Sequence, residues 1–417
     1  YRVCNTLSIA EYPIQSNQAQ IEPACIKNNT SYILGPRPDV SNRQPDMRHN
    51  LPTKTNWSIA EASHWSSQRP WIIGFNYTPR SAINQLEMWQ DETFDPTTIN
   101  QELGWASDIG FNMVRVFLHH LPWQENHHNF CKKIDVFLSI ADRHNIEVML
   151  VLFDDVWDPL PQSGKQPTPR AGVHNSGWVQ SPGAKILGDL NRHNELEDYV
   201  KGIISRYRSD QRVAIWDLYN EPGNLNTIPY GSSEVKNKRD FSLALLTKTF
   251  EWARQEGPLQ PLTSGVWRLK KGYWKGSVKK DKDCALFECM LKNSDIITFH
   301  SYENAARTGK AIRYLKDLGR PMICTEYLAR GHENTFDSIL PIFAQNHVGA
   351  MNWGFVSGKT QTIYPWRSWV FIIRLWDRLW SKEPDPWHHD ILRPDGTAYS
   401  NNEIDLIRSQ IRKNRIL

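Results

Sequence analysis

The 417-residue chain carries 49 basic and 45 acidic residues, a net charge of +4, so no global field selects nucleic acid or an anionic membrane. The length allows one large α/β barrel with appendages, or two medium domains. No apolar stretch approaches the roughly 20 residues that span a bilayer. Eighteen Trp residues suit stacking on sugar rings and filling a core alike.

The chain opens without Met or a signal-like segment, as a processed product or fragment would. The six cysteines do not resemble a small disulfide scaffold. Cys324, in a strand-like run, reads as a buried thiol. The pairs Cys4/Cys25 and Cys284/Cys289 are each open to bridging. Asn28, Asn29, Asn56 and Asn76 begin Asn-x-Ser/Thr sequons, compatible with a secreted, extracellular or periplasmic protein.

Residues 1–68 are rich in Asn, Gln, Pro and Ser without sustained periodicity, which predicts an irregular N-terminal extension. From residue 69 to 417, strand-like and helix-like stretches alternate. Strands are expected at 71–77, 112–118, 146–153, 213–219, 261–266, 295–300, 321–325 and 349–355. Helical patterns fill 98–109, 130–145, 191–207, 235–255, 284–292, 305–318 and 335–346. A Ser400-x-x-Glu403 capping box opens a last helix over 404–413, and the aromatic stretch 366–380 reads as an insertion in the last strand-to-helix loop, open to a helical reading. Eight alternating units point to an α/β fold, a (β/α)8 TIM barrel. The alternative, a doubly wound sheet, lacks a Gly-x-Gly-x-x-Gly turn after the first strand.

Two carboxylates end apolar runs. Val213-Ala214-Ile215-Trp216-Asp217-Leu218-Tyr219 delivers Asn220-Glu221-Pro222, and Pro321-Met322-Ile323-Cys324-Thr325 delivers Glu326. Either glutamate alone reads as a helix cap or a rim ion pair. Together, after strands four and seven, they stand across the mouth where barrels keep their active sites, and a carboxyl pair is what cleavage of a glycosidic bond requires.

Trp216-Asp217-Leu218-Tyr219-Asn220-Glu221-Pro222 resembles the Asn-Glu-Pro strand-four motif of the retaining barrel glycosidases, the clan that includes the family 5 cellulases and mannanases. Glu326 in Ile323-Cys324-Thr325-Glu326-Tyr327 is similar to that clan's nucleophile. The resemblance runs from Trp71 to about Arg412. It implies Glu221 as general acid/base and Glu326 as nucleophile, with a retained β-linkage chemistry on an oligo- or polysaccharide. It also implies that Asn220 bonds the sugar 2-hydroxyl, that Tyr302 of His300-Ser301-Tyr302 bonds the nucleophile, and that Trp353 stacks on the sugar. Arg115, a lone cation in an apolar strand, needs a carboxylate partner; Glu326 is the expected one.

Where many family 5 members carry a histidine after strand three, this chain has Asp154-Asp155-Val156-Trp157. Asp155 and Trp157 are candidates for a neighbouring sugar subsite, or for capping the loop 159–184, which is expected to border the cleft. His120, with His119, is a candidate for the missing imidazole. The basic loop 268–280 reads as solvated because the rest of the chain is charge-balanced, and His127-His128 and His388-His389-Asp390 read as surface histidines because none has metal-ligand spacing. No cofactor or metal is needed for this chemistry, and a monomer is expected. Two other readings stay open: an exo-acting β-mannosidase, β-xylosidase or transglycosylase on the same barrel, and a catalytically silent carbohydrate-binding barrel.

Overall fold

Eight strands pair only in parallel: β1 (Ile73–Tyr77), β2 (Met113–Phe117), β3 (Glu147–Asp154), β4 (Val213–Asn220), β5 (Leu262–Thr263), β6 (Ile297–His300), β7 (Met322–Tyr327) and β8 (Gly349–Asn352). The computed structural model describes residues 55–268, 282–370 and 383–414. The order β5-β4-β3-β2-β1-β8-β7-β6 is that of a rolled sheet whose free edges, β5 and β6, face each other. A parallel bridge between Val266 and Phe299 joins those edges, with His300 N donating to Val266 O at 3.0 Å. The eight-stranded barrel is therefore nearly closed. Because helices cover the outside and side chains fill the inside, the strands are buried on both faces and read as continuous apolar runs.

The interior is layered. Met113, Met149, Ile215, Ile323 and Met351 form an apolar floor. Above it lies a polar layer that includes Arg115 and Asp217, both fully buried. Phe117, Val151 and Trp178 make the layer nearest the mouth.

The helices begin where local chemistry satisfies their free N–H groups. Asp95 caps the helix Pro96–Ile109, Pro96 opens it, and Gly110 ends it at φ +107°. The last helix, Asn401–Asn414, starts at the expected box, but only half of the box forms. Ser400 Oγ accepts from Glu403 N at 3.4 Å, while the Glu403 carboxylate takes Arg330 instead, at 2.8 and 2.6 Å.

Several expectations change. Within the expected irregular extension, Ile59–Ser67 is a helix, opened by a complete Ser58/Glu61 capping box. It belongs to the barrel floor, where Trp57, Ala62 and Trp65 pack against the apolar layer. The Ser-x-x-Glu signal was present in the sequence but masked by the polar composition around it. The Cys284/Cys289 bridge does not form: Cys289 is a free thiol. The two positions lie five apart on the helix Lys282–Asn293, and residues five apart on a helix do not share a face. Cys324 is free and buried, as expected. Asn76, read as a sequon, is buried in β1 and holds Arg115. His388, His389 and Asp390 are buried rather than surface residues, folded under the β8 loop. No helix among the described residues is long and apolar enough to cross a membrane. Cys4, Cys25, Asn28, Asn29 and residues 269–280 and 371–380 lie outside the described residues.

Candidate active site

Glu221 is the first residue beyond β4, and Glu326 lies in β7 beside His300 of β6 in the ladder register. The turn that carries Glu221 has φ +44° there and +77° at Gly223, a left-handed start that is costly for a side-chain-bearing residue. Bonds on both sides hold it. Asn224 N donates to Glu221 O at 3.0 Å, and Gly223 N donates to Asp155 Oδ2 at 2.6 Å.

The two carboxylates meet. His300 Nδ1 stands 2.8 Å from Glu221 Oε1 and 3.5 Å from Glu326 Oε2, and a ligand atom from each of the three residues lies within 4.8 Å of the others. Tyr302 Oη donates to Glu326 Oε2 at 2.9 Å. Arg115 Nη1 donates to Glu326 Oε1 at 2.8 Å and to Asn76 Oδ1 at 2.7 Å. Asn224 Nδ2 donates to Glu221 Oε2 at 2.5 Å. Arg115 is not exclusive to Glu326: its Nε and Nη2 also donate to Asp217 Oδ2, at 3.0 and 2.7 Å.

Electrostatics separates the pair. Burial raises the Glu221 carboxyl to about 7, with the Asn224 amide and the more distant Arg115 opposing. Burial raises Glu326 as well, but the Arg115 guanidinium bonded to it pulls the other way. Burial lowers His300 to about 4, so the imidazole between the carboxylates is neutral at neutral pH. Burial thus raises both carboxyls, and Glu326 is the one bonded directly to a cation.

Asn220 sits between the two halves of the network. Its Oδ1 accepts from Arg115 Nη2 at 2.7 Å, and its Nδ2 donates to Asp154 Oδ1 at 2.9 Å. Asp154 also accepts from Val156 N at 3.0 Å, Trp178 Nε1 at 2.6 Å and Gln85 Nε2 at 3.3 Å. Burial nonetheless pushes its carboxyl up to about 8. Trp353, half-buried just past β8, meets Phe117 and Trp178 edge-on at 5.8 Å each.

Two expected site residues, Asp155 and His120, are placed differently. Asp155 is fully buried, away from the cleft, and accepts from Tyr219 Oη, Gly223 N and Ser242 Oγ. It fastens the Glu221 turn from behind, because a buried carboxylate must find donors. His120 is buried under the loop after β3, with Nδ1 3.2 Å from Ser181 Oγ. Among the described residues, the imidazole at the carboxylates is that of His300. Trp157 does line the region above Phe117, but its ring is already stacked on Trp369 at 5.3 Å.

Asp217 and Asn76 were not anticipated as site residues, while Asp154, one of the acids after strand three read as able to bond sugar hydroxyls, bonds Asn220. Asp217 carries the same signal as Arg115, a charge inside an apolar strand, and the two signals explain each other. Asn76 gave no separable signal beyond its sequon, because polar residues at strand ends are common. A divalent cation would find three donors at Glu221, His300 and Glu326, but Arg115 already places a positive charge 2.8 Å from that carboxylate, which disfavours a second one.

Residues 76–358 match the family model of the cellulases, glycosyl hydrolase family 5. The chain belongs to that family. It is a glycoside hydrolase on a (β/α)8 barrel, as its strand-four and strand-seven motifs implied. Solved structures of similar fold include a GH5_18 protein of Streptomyces cattleya in complex with GlcNAc, at 13% identity and a TM-score of 0.53, covering 83% of this chain and 81% of that one. The endo-β-1,4-mannanase of Thermotoga petrophila matches at 14% identity and 0.52, over 84% and 78%. The exo-β-1,4-mannosidase Op5Man5 of Opitutaceae bacterium strain TAV5 matches at 15% and 0.53, over 82% and 60%. No curated protein matches the chain.

Proposed function

We infer that the protein hydrolyses β-linked glycans with retention, by double displacement. The observation that carries this reading is the approach of a Glu221 oxygen and a Glu326 oxygen to within 4.8 Å. Retaining enzymes hold their carboxyls about 5 to 5.5 Å apart, and inverting enzymes leave about 6.5 Å or more for a water.

Glu326, ionised beside Arg115, attacks the anomeric carbon and forms a glycosyl ester as the glycosidic C–O bond breaks. Glu221 gives its proton to the departing oxygen. It then takes a proton from water, whose oxygen attacks the same carbon and releases Glu326. Tyr302 and Arg115 hold the nucleophile's two oxygens apart, and Trp353 offers a flat face to the ring. Asn220 presents an amide to the 2-hydroxyl while its other bonds keep it in place. Both glutamates and their supports are present, which argues against a silent binding barrel.

The substrate panel begins with β-mannosides, for which two of the structural neighbours are named, and adds β-glucosides and β-xylosides. Glu326→Ala is expected to lose turnover while remaining folded, and azide to restore it with formation of a glycosyl azide of inverted configuration. Full activity in that variant refutes the assignment. Export from the cytoplasm belongs to this proposal through Asn28, Asn29 and Asn56; glycan occupancy there, read by mass spectrometry, tests it.

A further inference from the structure

Three loops on one side of the mouth are tied to one another. The loop after β1 meets that after β8, where Lys359 N donates to Arg80 O at 3.1 Å and Lys359 Nζ pairs with Glu87 Oε1 at 2.6 Å. It meets the loop after β3 where Asn84 Nδ2 donates to Gly177 O at 2.8 Å. The β3 and β8 loops join through Asn175 N to Thr360 O at 2.8 Å, Gly172 N to Gln361 Oε1 at 2.9 Å and His174 N to Ser368 Oγ at 2.9 Å.

From this seam the turn Trp366–Trp369 reaches over the mouth. Trp366 meets Tyr302 edge-on at 5.0 Å. Trp369 stacks on Trp157 and meets the edge of Tyr230 at 5.7 Å. One turn from the β8 loop therefore touches the loops after β6, β3 and β4.

The seam stands on the Trp353 side of the pair. Between Trp353, Trp178, Asn175 and Thr360 the space open to the centres of water molecules is about 20 Å³, room for about one water. A second sugar ring needs far more than that. Asn175 is fully buried and lines this space, and neither atom of its amide finds a hydrogen-bond partner among the described residues. A buried amide left so is costly unless a water or ligand hydroxyl completes it.

We propose that the three loops close the glycone end of the cleft, so that the protein is exo-acting and removes one sugar at a time from the non-reducing end of a β-linked oligosaccharide. This rests on Glu221 and Glu326 as the reacting pair and on Trp353 as the platform of the sugar under attack. A ring on that platform has the seam at its far edge and its leaving group toward Glu221. Mid-chain cleavage needs a groove open at both ends, and this one ends in a wall. Asn175 stands at the wall to meet the terminal hydroxyls, directly or through one water.

The test uses β-1,4-linked manno-, gluco- and xylopentaose labelled with 2-aminobenzamide at the reducing end, and the same pentaoses methylated on the terminal 4-hydroxyl. The expected result is loss of one sugar per event: labelled tetrasaccharide and free monosaccharide appear first, and the methylated substrate survives. Labelled di- or trisaccharide as first product, or cleavage of the methylated substrate, overturns the closed end. If a 2-fluoro glycoside still labels Glu326 in that case, the reaction assignment stands without it. If no pentaose is cut and Glu326 takes no label, both fall.

Discussion

Asp217 accepts two hydrogen bonds from Arg115, through Nε at 3.0 Å and Nη2 at 2.7 Å, inside the barrel and away from solvent. The guanidinium thus divides its donors between a carboxylate of β4 and the Glu326 carboxylate of β7. Asp217→Ala leaves Arg115 with a single anionic partner in a buried layer. Breaking a buried pair in this way costs about 3–5 kcal/mol. Urea unfolding is expected to show that loss, with Asp217→Asn retaining part of it; an unchanged midpoint contradicts the role given to Asp217.

Glu221, held at about 7, is expected to set the alkaline limb of activity if it is the proton donor proposed above. As pH rises through that value the leaving group loses its proton donor, so kcat/KM falls. In Glu221→Gln the limb disappears and natural glycosides lose about 10²–10⁴-fold in rate. Aryl glycosides with acidic leaving groups are largely spared in the first step. A limb that persists in Glu221→Gln assigns the titration to another group.

Tyr302 donates the bond to Glu326 Oε2. Tyr302→Phe removes a hydrogen bond to a charged acceptor, about 1.5–3 kcal/mol, or roughly 10- to 100-fold in rate. Because the ring remains packed against Trp366, the loss is expected in kcat with little change in melting temperature. A variant that melts early with intact kcat reverses this reading.

His119 is buried as the neutral ring, and burial lowers it to about 3. Its Nε2 faces Gln180 O at 3.0 Å, and its Nδ1 accepts from Leu121 N at 3.1 Å, so a second ring proton would face an N–H. The folded value lies below the unfolded one, near 6.5. The stability contributed by the neutral ring is complete above about 6.5 and is lost as pH falls toward 3, by about 1.4 kcal/mol per pH unit. Relative to His119→Gln, the wild-type protein should weaken along that slope in denaturation at stepped pH. Parallel curves for the two proteins exclude it.

The barrel itself was legible because each strand is buried on both faces. Burial on both faces forces an uninterrupted apolar run, as in Val148 to Phe153, and such runs survive in a linear reading. The short β5 was overestimated, since only Leu262 and Thr263 pair in the ladder before the chain bends to a single bridge at Val266. The helix at Ile59–Ser67 was missed although Ser58 and Glu61 announce it. Its partner, the floor of Met113, Met149 and Met351, is assembled from strands far along the chain.

The sequence alone determined the two glutamates, their order along the fold and the cation that needs a carboxylate, because each is a polar group placed against an apolar strand. It left open which way each polar side chain turns. Asp155 and Asp154 are neighbours, yet one fastens the Glu221 turn and the other bonds Asn220. His388 and His389 resemble surface histidines but lie buried under a loop. Only tertiary structure decided these, since strand register and loop closure choose the partner of a polar group, and those partners lie tens to hundreds of residues away.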